Sequence, residues 1–255
     1  MNITATVGIT NSGVISNLAN VYGAEVDNDL SNNVATVTIN VVPSMVVYEN
    51  DFEEGAGDEW CYTNISTTPS GRNFLGEFNN QDVCLRLNDL PSHTQVRISF
   101  DLYIIRSWDG NQELWPLEPD IFLYPYNFLG SVGPDEWQLQ VGGETLLHTT
   151  FSNWDLLGFL QAYPNLVPGG LYPARTGATE NNALGYIFGP HPMDAVYHLT
   201  FLLEHIGDLL RLDFSAMGLQ SIADESWGLD NIQITVSAGA NPAPFTVYLP
   251  IIRDD

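Results

Sequence analysis

The chain has 255 residues and a formal net charge of −24, because 31 acidic residues stand against only 7 basic ones. Such a surface repels nucleic acids and anionic lipids, which bind clusters of Lys and Arg, and the sequence lacks the long apolar run that membrane insertion requires. We therefore expect neither nucleic acid nor a membrane among its partners. Because 44% of the residues are hydrophobic and 15% are charged, the composition predicts a folded chain.

Short β segments separated by Asn, Asp and Gly turns are predicted for the first part of the chain, residues 1–43. They cover residues 3–9, 14–21 and 33–42. A two-sheet sandwich of the immunoglobulin type needs about seven strands to bury both of its inner faces. This segment supplies only three predicted strands, so it is predicted to be a partial β module.

The same segment resembles the second half of the immunoglobulin-like repeats of bacterial surface proteins. The resemblance lies in residues 13–21 and 26–41, where an Asp-rich turn and paired Asn residues precede a strand rich in Thr and Val. It implies an immunoglobulin-like module whose missing half comes either from another subunit or from sequence further upstream.

A long all-β domain is predicted for residues 46–236, in which apolar and polar residues alternate over several stretches. No stretch has the spacing and the caps of a long helix. Gly142-Gly143 predicts a hairpin between two of the strands, and residues 204–207 predict a second hairpin further on. The predicted strands include residues 96–105, 137–141, 144–150, 196–203 and 208–216.

Several features of this domain resemble calcium-containing jelly rolls, namely carbohydrate-binding modules and concanavalin-like or laminin-G-like surface domains. The matching features are Phe52-Glu53, Trp60, residues 100–111 and residues 227–234. The resemblance implies a jelly-roll β-sandwich. It also implies that Glu53 and Asp230, the acid that opens the last strand, hold a structural Ca²⁺.

The chemistry of the residues favours calcium as well. Asp51, Glu53, Asp230 and Asn231 offer carboxylate and amide oxygens, and they meet if the first and last strands of the domain pair. Ca²⁺ binds six to eight such oxygens in irregular loops, whereas Zn²⁺ prefers His and Cys. The alternative is that these acids are solvated turn residues.

A second calcium site is also a candidate. The tract 107–111 contains Asp109, and it could form a site together with Asp135 and Glu225. Both sites would use oxygen ligands only, which is the chemistry that Ca²⁺ requires.

Cys61 and Cys84 lie in short strand-like runs on either side of a turn-rich stretch, which favours a cross-strand disulfide. The alternative is two buried free thiols. A disulfide is typical of proteins outside the cytosol, and two Asn-x-Ser/Thr sequons agree with that location. The chain is therefore predicted to be extracellular or bound to the cell surface.

Aromatic residues in or near the proline-rich loops are candidates for stacking against sugar rings; they are Trp108, Trp115, Tyr124, Tyr126 and Trp154. The alternative is that they close the ends of the sandwich. Catalytic motifs are missing: the sequence contains neither the alternating carboxylates of concanavalin-like glucanases nor a Gly-x-Ser-x-Gly or His-Glu-x-x-His motif. We therefore expect that the protein is not an enzyme.

Residues 237–255 read as a small-residue linker followed by an extended apolar strand. We expect this strand to pair with another strand, because a free one exposes unpaired main-chain groups and apolar side chains. The predicted features of the chain favour two alternative functions.

In the first, the chain is a structural or adhesive surface protein, for example as a filament subunit that binds copies of itself by strand exchange. The alternative is a calcium-stabilised carbohydrate-binding module that binds extracellular polysaccharide. The predicted assembly residues are Phe245, Val247, Tyr248, Leu249 and Ile251.

Overall fold

The computed structural model describes residues 13–20, 33–41, 43–112, 133–155, 158–167 and 169–238. All regular secondary structure in these residues is β, as the sequence predicts, and they include no helix that is long and apolar enough to cross a membrane. The strands are β1 (Gly13–Asn20), β2 (Val34–Val41), β3 (Ser44–Asn50), β4 (Ile65–Thr67), β5 (Asn73–Phe78), β6 (Asp82–Leu87), β7 (Gln95–Arg106), β8 (Glu136–Val141), β9 (Glu144–Thr150), β10 (Leu160–Gln161), β11 (Tyr172–Pro173), β12 (Glu180–Asn181), β13 (Ile187–Phe188), β14 (His191–Pro192), β15 (Asp194–Glu204), β16 (Leu210–Met217) and β17 (Glu225–Ser237).

Two antiparallel sheets form a β-sandwich. The larger sheet has the order β12-β15-β7-β17-β5-β4, and β3 also pairs with β17. The smaller sheet has the order β6-β16-β8-β9. The first and last strands of the large domain therefore pair, as predicted, with Asn50 opposite Ile232.

The main core lies between the two sheets because successive side chains of a strand point to opposite faces. In β7, the residues that face the smaller sheet are apolar and fully buried. Phe100 of β7 meets Phe214 of β16 with ring centroids 5.4 Å apart, and Trp137 of β8 lies 6.0 Å from Phe100. Large aromatic side chains from both sheets thus supply much of the apolar area that stabilises the sandwich.

A smaller core covers part of the opposite face of the larger sheet. Tyr103 and Ile105 of β7 point away from the main core and pack with Leu184 and Tyr186, which lie in the irregular segment between β12 and β13. The two core clusters use alternate residues of the same strand, so β7 is buried on both faces near its C-terminal end.

Strand pairing confirms one predicted hairpin and contradicts the other. β8 and β9 pair through Gly142 and Gly143, which both have positive φ angles of 58° and 90°, a conformation that Gly adopts without strain. The hairpin predicted between β15 and β16 is wrong, because β15 pairs with β7 in the larger sheet and β16 pairs with β6 and β8 in the smaller one. The connection between them crosses from one sheet to the other.

The predicted disulfide between Cys61 and Cys84 is confirmed. Cys84 lies on β6, and the N–H of Cys61 donates to the Cys84 carbonyl oxygen over 2.9 Å. Adjacent main chains therefore hold the two sulfur atoms together. Closing a loop of this length stabilises the fold by about 3 kcal/mol in the chain-entropy model.

β1 and β2 form a separate two-stranded sheet, and Leu18 and Val34 on it are more than half exposed, at 58% and 51%. The larger domain begins close to its predicted start, with β3, and β17 ends at Ser237. The division into residues 1–43, 46–236 and 237–255 stays a prediction. The predicted assembly residues lie outside the described part of the chain; they are Phe245, Val247, Tyr248, Leu249 and Ile251.

Candidate metal centre

Three acidic side chains meet at one end of the sandwich. Asp109 follows β7, Asp135 precedes β8, and Glu225 is the first residue of β17. β7 and β17 are antiparallel neighbours, with Glu225 opposite Arg106, so the end of one strand lies beside the start of the other. One carboxylate oxygen from each acid lies within 4.8 Å of the other two. The three side chains therefore form a single cluster that could hold a metal ion.

The cluster is enclosed by protein. Asp109 is 3% exposed, and Asp135 and Glu225 are fully buried. Protein donors reach one side of the cluster: the N–H of Asp109 donates to the Asp135 carboxylate, and the N–H of Gln220 donates to Glu225 Oε2 over 2.7 Å. Within the described part of the chain, each acid nevertheless keeps one buried oxygen without a hydrogen-bond partner, namely Asp109 Oδ1, Asp135 Oδ1 and Glu225 Oε1.

Unpaired buried oxygens are rare in folded proteins, and each costs about 1–3 kcal/mol. Burial raises the pKa of Asp109 to about 8, and the charge of Asp224 adds to the rise. Burial raises the pKa of Glu225 to about 11, with contributions from Asp135 and Asp109. The pKa of Asp135 also lies well above its usual value, first because of burial and then because of Asp109. The negative charge of the three buried carboxylates must therefore be neutralised, either by bound protons or by a cation.

The surrounding loops are fixed by hydrogen bonds. The Ser107 N–H donates to the Asp224 carbonyl over 3.0 Å, and the Ser107 hydroxyl donates to the Asp224 carboxylate. Asn79 Nδ2 donates to the carbonyls of Gln220 and Glu225 over 3.0 and 2.9 Å. The segment before β17 is thus tied both to the end of β7 and to the loop after β5. A preorganised frame of this kind lowers the cost of ordering ligands around an ion.

Trp108 and Trp154 lie in the interior rather than on an exposed surface. They are 0% and 5% exposed, and both indole N–H groups donate to main-chain carbonyls: Trp108 to Ser226 over 2.8 Å and Trp154 to Ser107 over 3.0 Å. The expectation that they stack on sugars is therefore corrected, since their ring faces are covered. Both rings instead support the loops around the cluster. The other predicted stacking residues, Trp115, Tyr124 and Tyr126, lie outside the described residues.

Asp230, one of the two acids that the resemblance favours, lies further along β17. Asp230 Oδ2 accepts a hydrogen bond from the Tyr103 hydroxyl over 2.6 Å, and its Oδ1 accepts one from the N–H of Asn231 over 2.7 Å. Asn231 Nδ2 donates to Asp101 over 2.8 Å. Burial raises the pKa of Asp230 to about 6, despite the hydrogen bonds, and the charges of Asp101 and Glu53 add to the rise.

Asp51 and Glu53 lie on the exposed turn after β3. Glu53 Oε2 accepts a hydrogen bond from Asn73 Nδ2 over 2.8 Å, and Asp51 accepts one from the N–H of Glu53 over 3.2 Å. The carboxyl groups of this region therefore have partners in the protein. Calcium binding by Asp51, Glu53, Asp230 and Asn231 stays a prediction.

Sequence reasoning named Asp109, Asp135 and Glu225 as a second candidate, and the structure brings these three together. It missed Gln220, whose N–H positions Glu225, and it missed Asp224 as a nearby charge. The consecutive acids Asp224 and Glu225 directly before an alternating strand were the available signal.

No protein-family model matches the chain, and no curated protein matches it. Among solved structures, the chain is similar to the crystal structure of dimeric latent PorU from Porphyromonas gingivalis, with 12% sequence identity and a TM-score of 0.33. The match covers 65% of this chain and 11% of the PorU chain. A likeness of this extent carries no argument about function.

Proposed function

We propose that the protein is a non-enzymatic structural or adhesive protein of the extracellular space or cell surface, whose β-sandwich is stabilised by a bound Ca²⁺. The observation that carries this proposal is the cluster of Asp109, Asp135 and Glu225, with three buried oxygens that lack partners. A divalent cation would compensate both the unpaired oxygens and the mutual repulsion of the carboxylates.

The ligand chemistry supports calcium. Among the described residues, the cluster offers carboxylate oxygens and no sulfur or imidazole, which disfavours Zn²⁺. Ca²⁺ accepts carboxylate, amide and main-chain oxygens in irregular loops, and Asp109 and Asp135 both lie in irregular segments. Asp109, Asp135 and Glu225 would hold the ion.

The position of the cluster supports a structural role for the ion. The three acids belong to loops and strand ends of both sheets, so a shared ion would tie the sheets together at one end. A substrate could not reach carboxylates that are at most 3% exposed. The disulfide supports an extracellular location, because cytosolic thiols are normally kept reduced.

Elemental analysis and thermal melting test the calcium proposal. We expect stoichiometric calcium in protein purified in calcium buffer, and a lower melting temperature after treatment with EGTA. A ligand that binds only the native state stabilises it, so removing the ligand lowers the melting temperature. Absence of bound metal together with an unchanged melt would overturn the proposal.

Self-assembly by strand exchange is a second proposal, favoured by the sheet of β1 and β2. These two strands pair with no other strand in the described residues, and an isolated two-stranded sheet is marginally stable at best. An added strand would complete it by β-augmentation, and a head-to-tail contact of this kind builds an open filament if the rotation does not close.

Deletion of residues 242–255 tests the assembly proposal, because these residues contain the predicted donor strand. Electron microscopy should show filaments of the full chain and none of the deletion variant. Filaments that persist unchanged without residues 242–255 would show that this segment donates no strand. Absence of filaments of the full chain over a wide concentration range would count against assembly itself.

A further inference from the structure

Two histidines meet at the end of β7 and β17 that lies away from the acidic cluster. His93 precedes β7 and His205 follows β15, and His93 Nε2 lies 2.8 Å from His205 Nδ1. Main-chain bonds join the same segments, because the N–H of His205 donates to the Thr94 carbonyl over 3.1 Å. The N–H of Thr94 in turn donates to the carbonyl of Ser237 over 3.0 Å. The histidine pair therefore lies where β17 ends.

The two imidazole rings lie end to end. Their planes differ by 5° and their centres lie 5.0 Å apart, which is close to the largest separation that two rings joined by a 2.8 Å N···N contact can have. The two facing nitrogen atoms therefore point their in-plane orbitals directly at each other. A metal ion does not fit between them, because Zn²⁺ forms bonds of about 2.0–2.1 Å to each His nitrogen. A proton does fit between them.

The outer nitrogen atoms fix the positions of two protons. His93 Nδ1 lies 2.6 Å from the Pro91 carbonyl oxygen, and His205 Nε2 lies 3.1 Å from the Leu209 carbonyl oxygen. A carbonyl oxygen only accepts hydrogen bonds, so each outer nitrogen must donate. A neutral imidazole has a single N–H. These two bonds therefore use every N–H of two neutral rings and leave two acceptors facing each other.

The surroundings of the pair favour one additional proton over two. Burial, followed by the charge of His93, lowers the pKa of His205, and the Leu209 carbonyl opposes this change. The charged residues on the two segments and the adjoining strand ends are all exposed; in the described part of the chain they are Asp89, Glu204 and Asp208. None of these carboxylates contributes to the pKa of His205, so a second additional proton has no counterion.

We propose that His93 and His205 share one proton and form a pH-dependent clasp between the loop after β6 and the crossover from β15 to β16. With three protons on four ring nitrogens, all three contacts become hydrogen bonds, and the central one is charge-assisted. Loss of the shared proton leaves two facing acceptors, and gain of another proton leaves two facing donors. The clasp therefore opens on both sides of the pH range in which the pair is singly protonated. This inference depends on neither the calcium proposal nor the assembly proposal.

Nitrogen NMR of the full chain, with isotope-labelled histidine and in calcium buffer, counts these protons. At about pH 7.5, one unit above the ordinary pKa of His, we expect protonated signals for His93 Nδ1 and His205 Nε2. We also expect one proton between the inner nitrogens. An outer nitrogen without a proton, or two ordinary neutral rings, would overturn the proposal.

Hydrogen exchange measures the clasp itself. The N–H of Leu90 donates to the Asp208 carbonyl over 3.0 Å, so it joins the same two segments. Relative to the amides of β7, its protection factor should fall about tenfold both above and below the singly protonated range, which matches the loss of one charge-assisted hydrogen bond. A relative protection factor that stays constant, or falls on one side only, would contradict the clasp.

His205→Asn distinguishes a shared proton from ordinary packing. The asparagine amide can donate to His93 Nε2 and cannot lose its proton in this pH range. We therefore expect the fall in Leu90 protection at high pH to disappear, whereas the fall at low pH remains because His93 still gains a proton. His191→Gln, on β14, is the control and should behave as the unmodified chain does.

A pH profile of His205→Asn identical to that of the unmodified chain would show that the pair does not hold the shared proton. His93→Gln repeats the test from the other ring, because its amide can donate to His205 Nδ1. It should also lose only the fall at high pH. Loss of both falls in both variants would assign the pH dependence to other groups and overturn the proposal.

Discussion

Glu225 and Asp230 lie only five residues apart along β17, yet their carboxyl groups have different surroundings. Glu225 joins Asp109 and Asp135 in a buried cluster whose members each keep an unpaired oxygen. Asp230 is also buried, but both of its oxygens accept hydrogen bonds from Tyr103 and Asn231. Burial, followed by the charges of Asp135 and Asp109, raises the pKa of Glu225 to about 11. Burial raises the pKa of Asp230 only to about 6, because the hydrogen bonds from Tyr103 and Asn231 lower it. Burial, neighbouring acids and a shortage of protein donors together distinguish the candidate cation site from Asp230.

The largest expected effect comes from the double variant Asp135→Asn with Glu225→Gln. It keeps the size of both side chains but removes two charges, so we expect loss of calcium binding. At calcium concentrations a thousand times the Kd, bound calcium contributes about 4 kcal/mol, or roughly 10 °C in a chain of this size. Calorimetry with calcium and melting with and without EGTA measure both effects.

The same variant distinguishes lost binding from poor folding. In EGTA at pH 8 its melting temperature should be no lower than that of the unmodified chain, because the repulsion between buried carboxylates is gone. A variant that still binds calcium with unchanged affinity would remove the metal centre from this cluster.

The second prediction concerns pH in the metal-free protein. The pKa of Asp109 is raised from 3.8 to about 8, and that of Glu225 from 4.5 to about 11. Between about pH 4 and pH 11 the folded state therefore binds more protons than the unfolded state. This contribution to stability is complete below pH 4 and is lost as the pH rises through the two folded-state pKa values. The slope is about 1.4 kcal/mol per pH unit for each extra proton bound.

Melting in EGTA from pH 5 to pH 8 checks this prediction. We expect the melting temperature of the unmodified chain to fall more steeply than that of the double variant. Equal slopes would show that the cluster does not hold the extra protons. In calcium buffer, the melting temperature of the unmodified chain should depend less on pH than it does in EGTA, because the ion competes with protons for the same oxygens.

A smaller effect is expected for Tyr103→Phe, which makes the Asp230 site more like the buried cluster. Loss of the hydroxyl leaves Asp230 Oδ2 without its donor, so stability should fall by about 1–2 kcal/mol and the pKa of Asp230 should rise above 6. Urea unfolding and NMR titration measure these changes. Calcium affinity should stay unchanged, and a large loss of affinity would instead indicate an ion near Asp230.

The smallest effect is expected for Glu53→Gln. Glu53 is exposed, and its contact with Asn73 is a surface hydrogen bond, so stability should change by less than about 0.5 kcal/mol. Calcium binding should be retained in calorimetry. Loss of calcium in this variant would favour the site implied by the jelly-roll resemblance over the buried cluster.

Local sequence patterns predicted much of the fold. The alternation in residues 96–105 predicted the central strand β7, and Gly142-Gly143 predicted the hairpin of β8 and β9. The same patterns could not assign β15 and β16 to different sheets. Alternation reports that one face of a strand is buried, but strands of both sheets bury one face in the same core.

The candidate metal centre was predictable only in part. Asp109, Asp135 and Glu225 were candidates because they lie near the ends of predicted strands. The sequence reasoning nevertheless preferred Glu53 and Asp230 as calcium ligands. Which acids lack donors depends on distant groups such as the Tyr103 hydroxyl, 127 positions from Asp230. For Trp108 and Trp154, a position near a loop suggested exposure, whereas main-chain carbonyls deep in the fold accept their indole N–H groups.

The pairing of β3 with β17 has a mechanical consequence. Ser44, the first residue of β3, lies opposite Ser237, the last residue of β17, so the chain enters and leaves the sandwich at the same point. Tension applied between these two residues would separate β3 from β17 one pair at a time, like a zipper. Tension applied between Ser44 and Glu225 would load the pairs together in shear. We expect single-molecule pulling to measure a lower rupture force in the first geometry, and equal forces would contradict this account of how the module bears load.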